Sequence, residues 1–165
     1  DRVLSLTSIM STTGSPEVGA PTPEALAVLV TPRPSNREEA IEQGVAASRV
    51  ISSPEHFDEE IARARAARAY DRSYRPDGFA RQLLAILASG DRTEHLAQLD
   101  VPTLVVHGDR DPLVTPSGGE ATAAAIPGAE LLVLEGMGHD LPPAYWARLV
   151  EAVTSLVARA AAPAS

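Results

Sequence analysis

His107-Gly108-Asp109-Arg110-Asp111-Pro112-Leu113-Val114 is the stretch that decides the reading of this chain. It follows Pro102-Thr103-Leu104-Val105-Val106, and an unbroken aliphatic run of this kind suits a strand covered on both faces, the condition of a parallel sheet. Helices are then expected to follow each strand. The octet lies at the strand's carboxyl end, where open α/β sheets leave a crevice for function. A second stretch, Gly136-Met137-Gly138-His139, comes directly after another β-like run, Glu130 to Leu134, and sends an imidazole from the same edge. Its two glycines are expected to let the backbone turn sharply. Asp111 and His139 are 28 positions apart (139 − 111), so one helix and one strand separate them and a single βαβ step brings them side by side.

Working outward, Val3-Leu4-Ser5-Leu6-Thr7-Ser8-Ile9-Met10 reads as a further buried strand. The chain starts at Asp1 rather than Met and runs into that strand with no lead-in, which reads as a broken start. After the decisive octet, Ser117-Gly118-Gly119-Glu120 has the pattern of a capping box and opens an alanine-rich helix ending at Pro127-Gly128. From Ala144 to about Ala160, Trp146, Leu149, Val150, Val153, Leu156 and Val157 recur at helical spacing and predict one apolar face packed on the sheet.

Between the first and second strands lie more than 80 residues without a comparable strand, too many for a structureless loop. Thr22-Pro23 is a good helix start, and Pro32, Pro34 and Ser35 mark a turn. Three helices follow: one capped by Asn36 or Ser35 with Ile41, Val45 and Ser48 inward, and one opened by Ser53-Pro54-Glu55 with Phe57 and Ile61. The third runs from Pro76 to Ser89, with Phe79, Leu83, Ile86 and Leu87 on one side.

Composition bounds the function classes. With 44% hydrophobic and 22% charged residues in 165, the chain is of ordinary globular character. A formal net charge of −8, with all 14 basic residues being scattered arginines, leaves no stripe to track a nucleic acid. Cysteine is absent, so disulfides and thiolate metal sites are excluded, and four separated histidines offer no metal-ligand spacing. No cofactor is implied. Neither a membrane span nor a signal-peptide pattern is visible, and a cytoplasmic address is the default expectation.

Gly108-x-x-Asp111 and Gly138-His139 resemble the acid and histidine turns of the α/β-hydrolase fold family, whose chain order is nucleophile, acid, histidine. The resemblance covers the whole chain as the C-terminal half of an α/β fold. It divides residues 1–14 as a core strand, 15–95 as a helical cap, and 96–165 as the closing core. Within the family the pattern is most similar to actinobacterial ester hydrolases of the aclacinomycin methylesterase kind. The resemblance implies catalytic roles for Asp111 and His139 and a small ester as substrate. It also implies a nucleophile and an oxyanion hole on an N-terminal half that would be this chain's partner, so the chain alone is expected to be inactive. No Gly-x-Ser-x-Gly pentapeptide occurs here, so the nucleophile is unobserved. An aspartate nucleophile, as in dehalogenases and epoxide hydrolases, and a non-catalytic binding protein on the same fold are the competing expectations. Oligomeric state is not legible.

Other residues carry blander expectations. Asp109 and Arg110 read as turn residues or a surface pair, His107 as a packed histidine, and His56 and His95 as surface residues at helix starts. Met137 reads as a pocket or packing residue. Arg63, Arg65, Arg68 and Arg72 read as a solvated helix face.

Overall fold

The computed structural model describes residues 3–161. Three strands form a parallel sheet, β1 (Leu6–Ile9), β2 (Thr103–Gly108) and β3 (Glu130–Leu134), in the order β1-β2-β3. β2 is buried throughout, as its unbroken aliphatic run requires. In register, Thr7 faces Leu104 on one side, and Val106 faces Leu132 on the other. β1 is shorter than the run Val3 to Met10, and Val3 and Leu4 stand outside it with 58% and 70% of their surface exposed, so the expectation of a buried strand fails at its start. Met10 lies outside the strand but extends its hydrogen bonding by donating to the Val106 carbonyl.

The alternation along β2 divides its side chains between two faces. Leu104 and Val106 join Leu134, Met137 and Leu156 in the apolar core. Leu156 belongs to helix α7 (Trp146–Ala161), whose Leu149, Ala152 and Val153 pack on the same cluster. The predicted stripe is therefore split: Leu149, Val153 and Leu156 face the sheet, whereas Trp146, Val150 and Val157 are exposed. On the opposite face His107 lies against helix α6 (Pro116–Ala125). A Cβ on Gly119 would fall 2.4 Å from His107 Nδ1, so the glycine permits this close approach.

The capping box expected at Ser117 does not form. Thr115 is the N-cap residue, and the Ser117 hydroxyl instead accepts the N–H of Gly19 at 3.0 Å, a tertiary bond to the segment after β1.

Between β1 and β2 the chain is helical. α1 (Pro23–Val30) is capped by Thr22, whose hydroxyl accepts the N–H of Ala25. α2 (Arg37–Ile51) is capped by Asn36, and buries Ile41 and Val45. Ser53-Pro54-Glu55 opens only a three-residue 3-10 turn, Pro54–His56; the next helix, α3 (Glu59–Arg72), takes its cap from Asp58. Proline at 54 suits either start, and the tie-breaker is tertiary, because the Ser53 side chain is occupied elsewhere. α3 packs on α2 through the pairs Arg63 with Glu42 and Arg37 with Asp71, the latter at 2.7 Å, and Arg63 also pairs with Glu59 within α3. The arginine face is thus partly a seam between helices. α4 (Pro76–Ser89) and the single turn α5 (Thr93–Leu96) complete the segment. In α4 the only half-covered side chains larger than glycine are Phe79 and Leu83, with Arg33 stacked over the Phe79 ring; Ile86 and Leu87, expected on the same inner side, are exposed together with Leu84.

Candidate active site

Asp111 and His139 meet at the carboxyl edge of the sheet. β2 ends at Gly108, and the turn that follows carries Asp111; β3 ends at Leu134, and the turn that follows carries His139. The two turns are stitched together by one main-chain bond, Arg110 N–H to the Met137 carbonyl at 3.0 Å, and one bond to a side chain, Gly136 N–H to Asp109 Oδ1 at 2.7 Å. Asp109 is therefore a turn residue that holds the neighbouring turn, with no ion pair to Arg110 among the described residues.

The carboxylate of Asp111 is buried, and both oxygens are used. Oδ1 accepts the N–H groups of Leu113 and Val114, each at 2.9 Å, which fixes the plane of the group. Oδ2 accepts from His139 Nδ1 at 2.7 Å. An ionised carboxylate only accepts, so the bond places a proton on Nδ1 and leaves Nε2 of a neutral ring with a free lone pair. That nitrogen makes no hydrogen bond to any described residue, and the His139 side chain keeps a quarter of its surface exposed. An imidazole held in this tautomer can take a proton from a hydroxyl brought to Nε2.

Behind Asp111 stands His107, almost fully buried, with Nε2 2.8 Å from the Val114 carbonyl and 3.5 Å from Asp111 Oδ2. The carbonyl accepts only, so Nε2 carries the proton there. His107 Nδ1 has no partner in the described structure. The packed histidine expected from the sequence is also a second neighbour of the acid.

The His139 turn is braced from α2. His139 N–H donates to the carbonyl of Ile51, the last residue of that helix, at 2.7 Å. Gly136 has φ +77°, the left-handed turn conformation that favours glycine. Gly138 serves differently from expectation: it is needed for close approach, since a Cβ there would sit 2.5 to 2.7 Å from Ser52 C, Ser53 N and Ile51 O. Ser53 and Asp140 were not anticipated. The Ser53 hydroxyl donates to Asp140 Oδ1 at 2.6 Å and accepts the Gly138 N–H at 2.9 Å. The signal available was Asp140 directly following the histidine, but a Ser-Pro-Glu triplet is also an ordinary helix start. Met137 is fully buried in the core and packs rather than lining a pocket. His56 is exposed and meets the Tyr145 ring edge-on, and His95 is exposed in α5.

The sequence profile of the family described as "Serine aminopeptidase, S33" matches residues 43–142, which spans most of the helical segment and both turns. The chain belongs to this α/β-hydrolase family. This hydrolase-family chain is 50% identical over 52 residues to the non-heme chloroperoxidase CPO-A1 of Kitasatospora aureofaciens, a match covering 31% of the chain and 19% of that protein. Its fold is similar to a thermophilic esterase from Thermogutta terrifontis, with 25% identity, a TM-score of 0.67, and coverage of 98% of this chain and 58% of that one. It is also similar to the enol-lactonase from Burkholderia xenovorans LB400, with 21% identity, a TM-score of 0.68, and coverage of 95% and 57%. The chain thus spans under three-fifths of the length of these two solved relatives and a fifth of the curated one. The sheet of three parallel strands is part of an α/β-hydrolase fold.

Proposed function

We propose that this chain supplies the acid and base of a carboxylic ester hydrolase, with Asp111 orienting His139 and His139 acting as general base and then general acid. The single observation carrying this reading is the bond from His139 Nδ1 to a carboxylate whose other oxygen is pinned by two backbone N–H groups. It leaves Nε2 as the only ring nitrogen able to accept a proton. In the reaction, a serine hydroxyl attacks the ester carbonyl as His139 takes its proton. The tetrahedral intermediate then collapses, and His139 returns that proton to the leaving alkoxide. Water repeats the sequence on the acyl-enzyme.

The serine and the oxyanion-hole donors come from residues outside this chain. No hydroxyl among the described residues engages His139 Nε2, and solved relatives extend well beyond the region matched. The helices between β1 and β2 act as a cap, since the end of α2 already rests on the His139 turn. An ester rather than an amide is the favoured substrate because an esterase stands among the structural relatives.

The test is turnover of a chromogenic short-chain ester and of the matching anilide by the intact protein and its His139→Ala variant. Ester turnover that drops by several orders of magnitude in the variant is expected. Equal ester turnover in both proteins, or anilide preferred over ester, defeats the reading.

A further inference from the structure

We infer that Ser53 and Asp140 are positioning residues for His139, and that through them the C-terminal end of α2 sets where the imidazole points. The inference rests on His139 being the base of the proposed reaction. Four hydrogen bonds join residues 51–53 to residues 138–140. Ser53 N–H and Ser53 Oγ–H both donate to Asp140 Oδ1, at 2.8 and 2.6 Å. Gly138 N–H donates to Ser53 Oγ at 2.9 Å, and His139 N–H donates to the Ile51 carbonyl at 2.7 Å.

The bonds bracket the histidine on both sides. Ser53 has no exposed surface, so its hydroxyl has exchanged water for these two partners, and truncation would strand the Gly138 N–H in a buried site. The main chains touch, leaving no space for a Cβ at residue 138. α2 continues rigidly into the contact, because Ser52 N–H closes its last turn on the Ser48 carbonyl. The imidazole is therefore held at two points: its ring by Asp111, and its backbone by the end of α2. A displacement of that helix end is a displacement of Nε2, and an ångström of misplacement is enough to cost a reaction heavily.

The experiment compares Ser53→Ala, Asp140→Ala and Asp140→Asn in the intact protein, with His139→Ala as control. Each is read by ester kinetics, circular dichroism and the low-field proton resonance of His139 Nδ1–H. Ser53→Ala and Asp140→Ala should lower kcat roughly ten- to a hundred-fold with KM little changed, and broaden the resonance through solvent exchange. Asp140→Asn should recover most of the loss, because an amide oxygen still accepts both Ser53 donors. If Asp140→Ala does not fold, Ser53→Ala against Asp140→Asn carries the comparison. Folded Ser53→Ala with wild-type kcat and an unchanged resonance overturns the inference, as does Asp140→Asn falling as far as Asp140→Ala. If instead His139→Ala stays active, the proposed function fails and the resonance alone decides the positioning role: broadening in Ser53→Ala upholds it, and an unchanged signal overturns it.

Discussion

His107 Nε2 lies 3.5 Å from Asp111 Oδ2, while the same nitrogen is 2.8 Å from the Val114 carbonyl. Val114 also donates its N–H to Asp111 Oδ1, so His107 braces the loop that fixes the carboxylate. His107→Ala should cost about 2–4 kcal/mol, from the lost packing volume and the unpaired Val114 carbonyl. His107→Gln keeps an N–H donor near the Nε2 position and should recover part of this. Chemical denaturation of the three proteins measures the difference, and an unaltered midpoint for His107→Ala would contradict the bracing role.

Gly119 is expected to resist substitution for a steric reason. A Cβ there would fall 2.4 Å from Nδ1, 2.7 Å from Cγ and 2.9 Å from Cβ of His107, and that side chain is locked by burial and by Val114. Gly119→Ala should destabilise by about 1–3 kcal/mol, the usual cost of overpacking. Gly128 offers the contrast: open space surrounds it but φ is +70°, so alanine there should cost only the backbone strain, about 1 kcal/mol. Equal tolerance at both positions would contradict the packing of α6 on β2.

The α2–α3 seam should loosen in acid. Hydrogen bonding to Arg63 holds the Glu42 carboxyl below its usual range, and hydrogen bonding to Arg37 does the same for Asp71. A depressed carboxylate pKa contributes stability that is fully present above the unfolded-state value and is lost as pH falls through the folded one. These side chains are about half exposed, so the effect is local and screened by salt. Amide protection over residues 37–72, taken relative to intrinsic exchange at each pH, should fall between pH 7 and pH 3 more than protection in β2. The double variant Glu42→Gln/Asp71→Asn should already show the faster exchange at pH 7. Identical exchange in the variant and the parent at pH 7 would show that the ion pairs hold nothing.

What the sequence made legible follows the range of the signals. β2 and β3 were readable because both are short aliphatic runs followed by glycine-containing turns, and Thr22 and Asn36 because a cap bonds within its own first turn. Asp111 and His139 could be paired because one βαβ step has nearly fixed geometry. Ser53 and Ser117 were misread for one reason: each has a local pattern that permits capping, and each gives its hydroxyl to a residue more than 80 positions away. Periodicity found the apolar faces of α4 and α7 but could not say what lies against them, and Ile86, Leu87, Val150 and Val157 are exposed.

The central claim is that Asp111 holds His139 in the tautomer whose Nε2 accepts a proton, and Asp111→Asn tests it most directly. The asparagine oxygen can still accept the Leu113 and Val114 N–H groups, so the turn should survive. Its amide N–H then faces Nδ1 and drives the ring proton to Nε2, the wrong nitrogen for a base. In the intact protein, ester turnover should fall by roughly four orders of magnitude while the folded state melts nearly as before. Wild-type turnover in a folded Asp111→Asn protein would contradict the account.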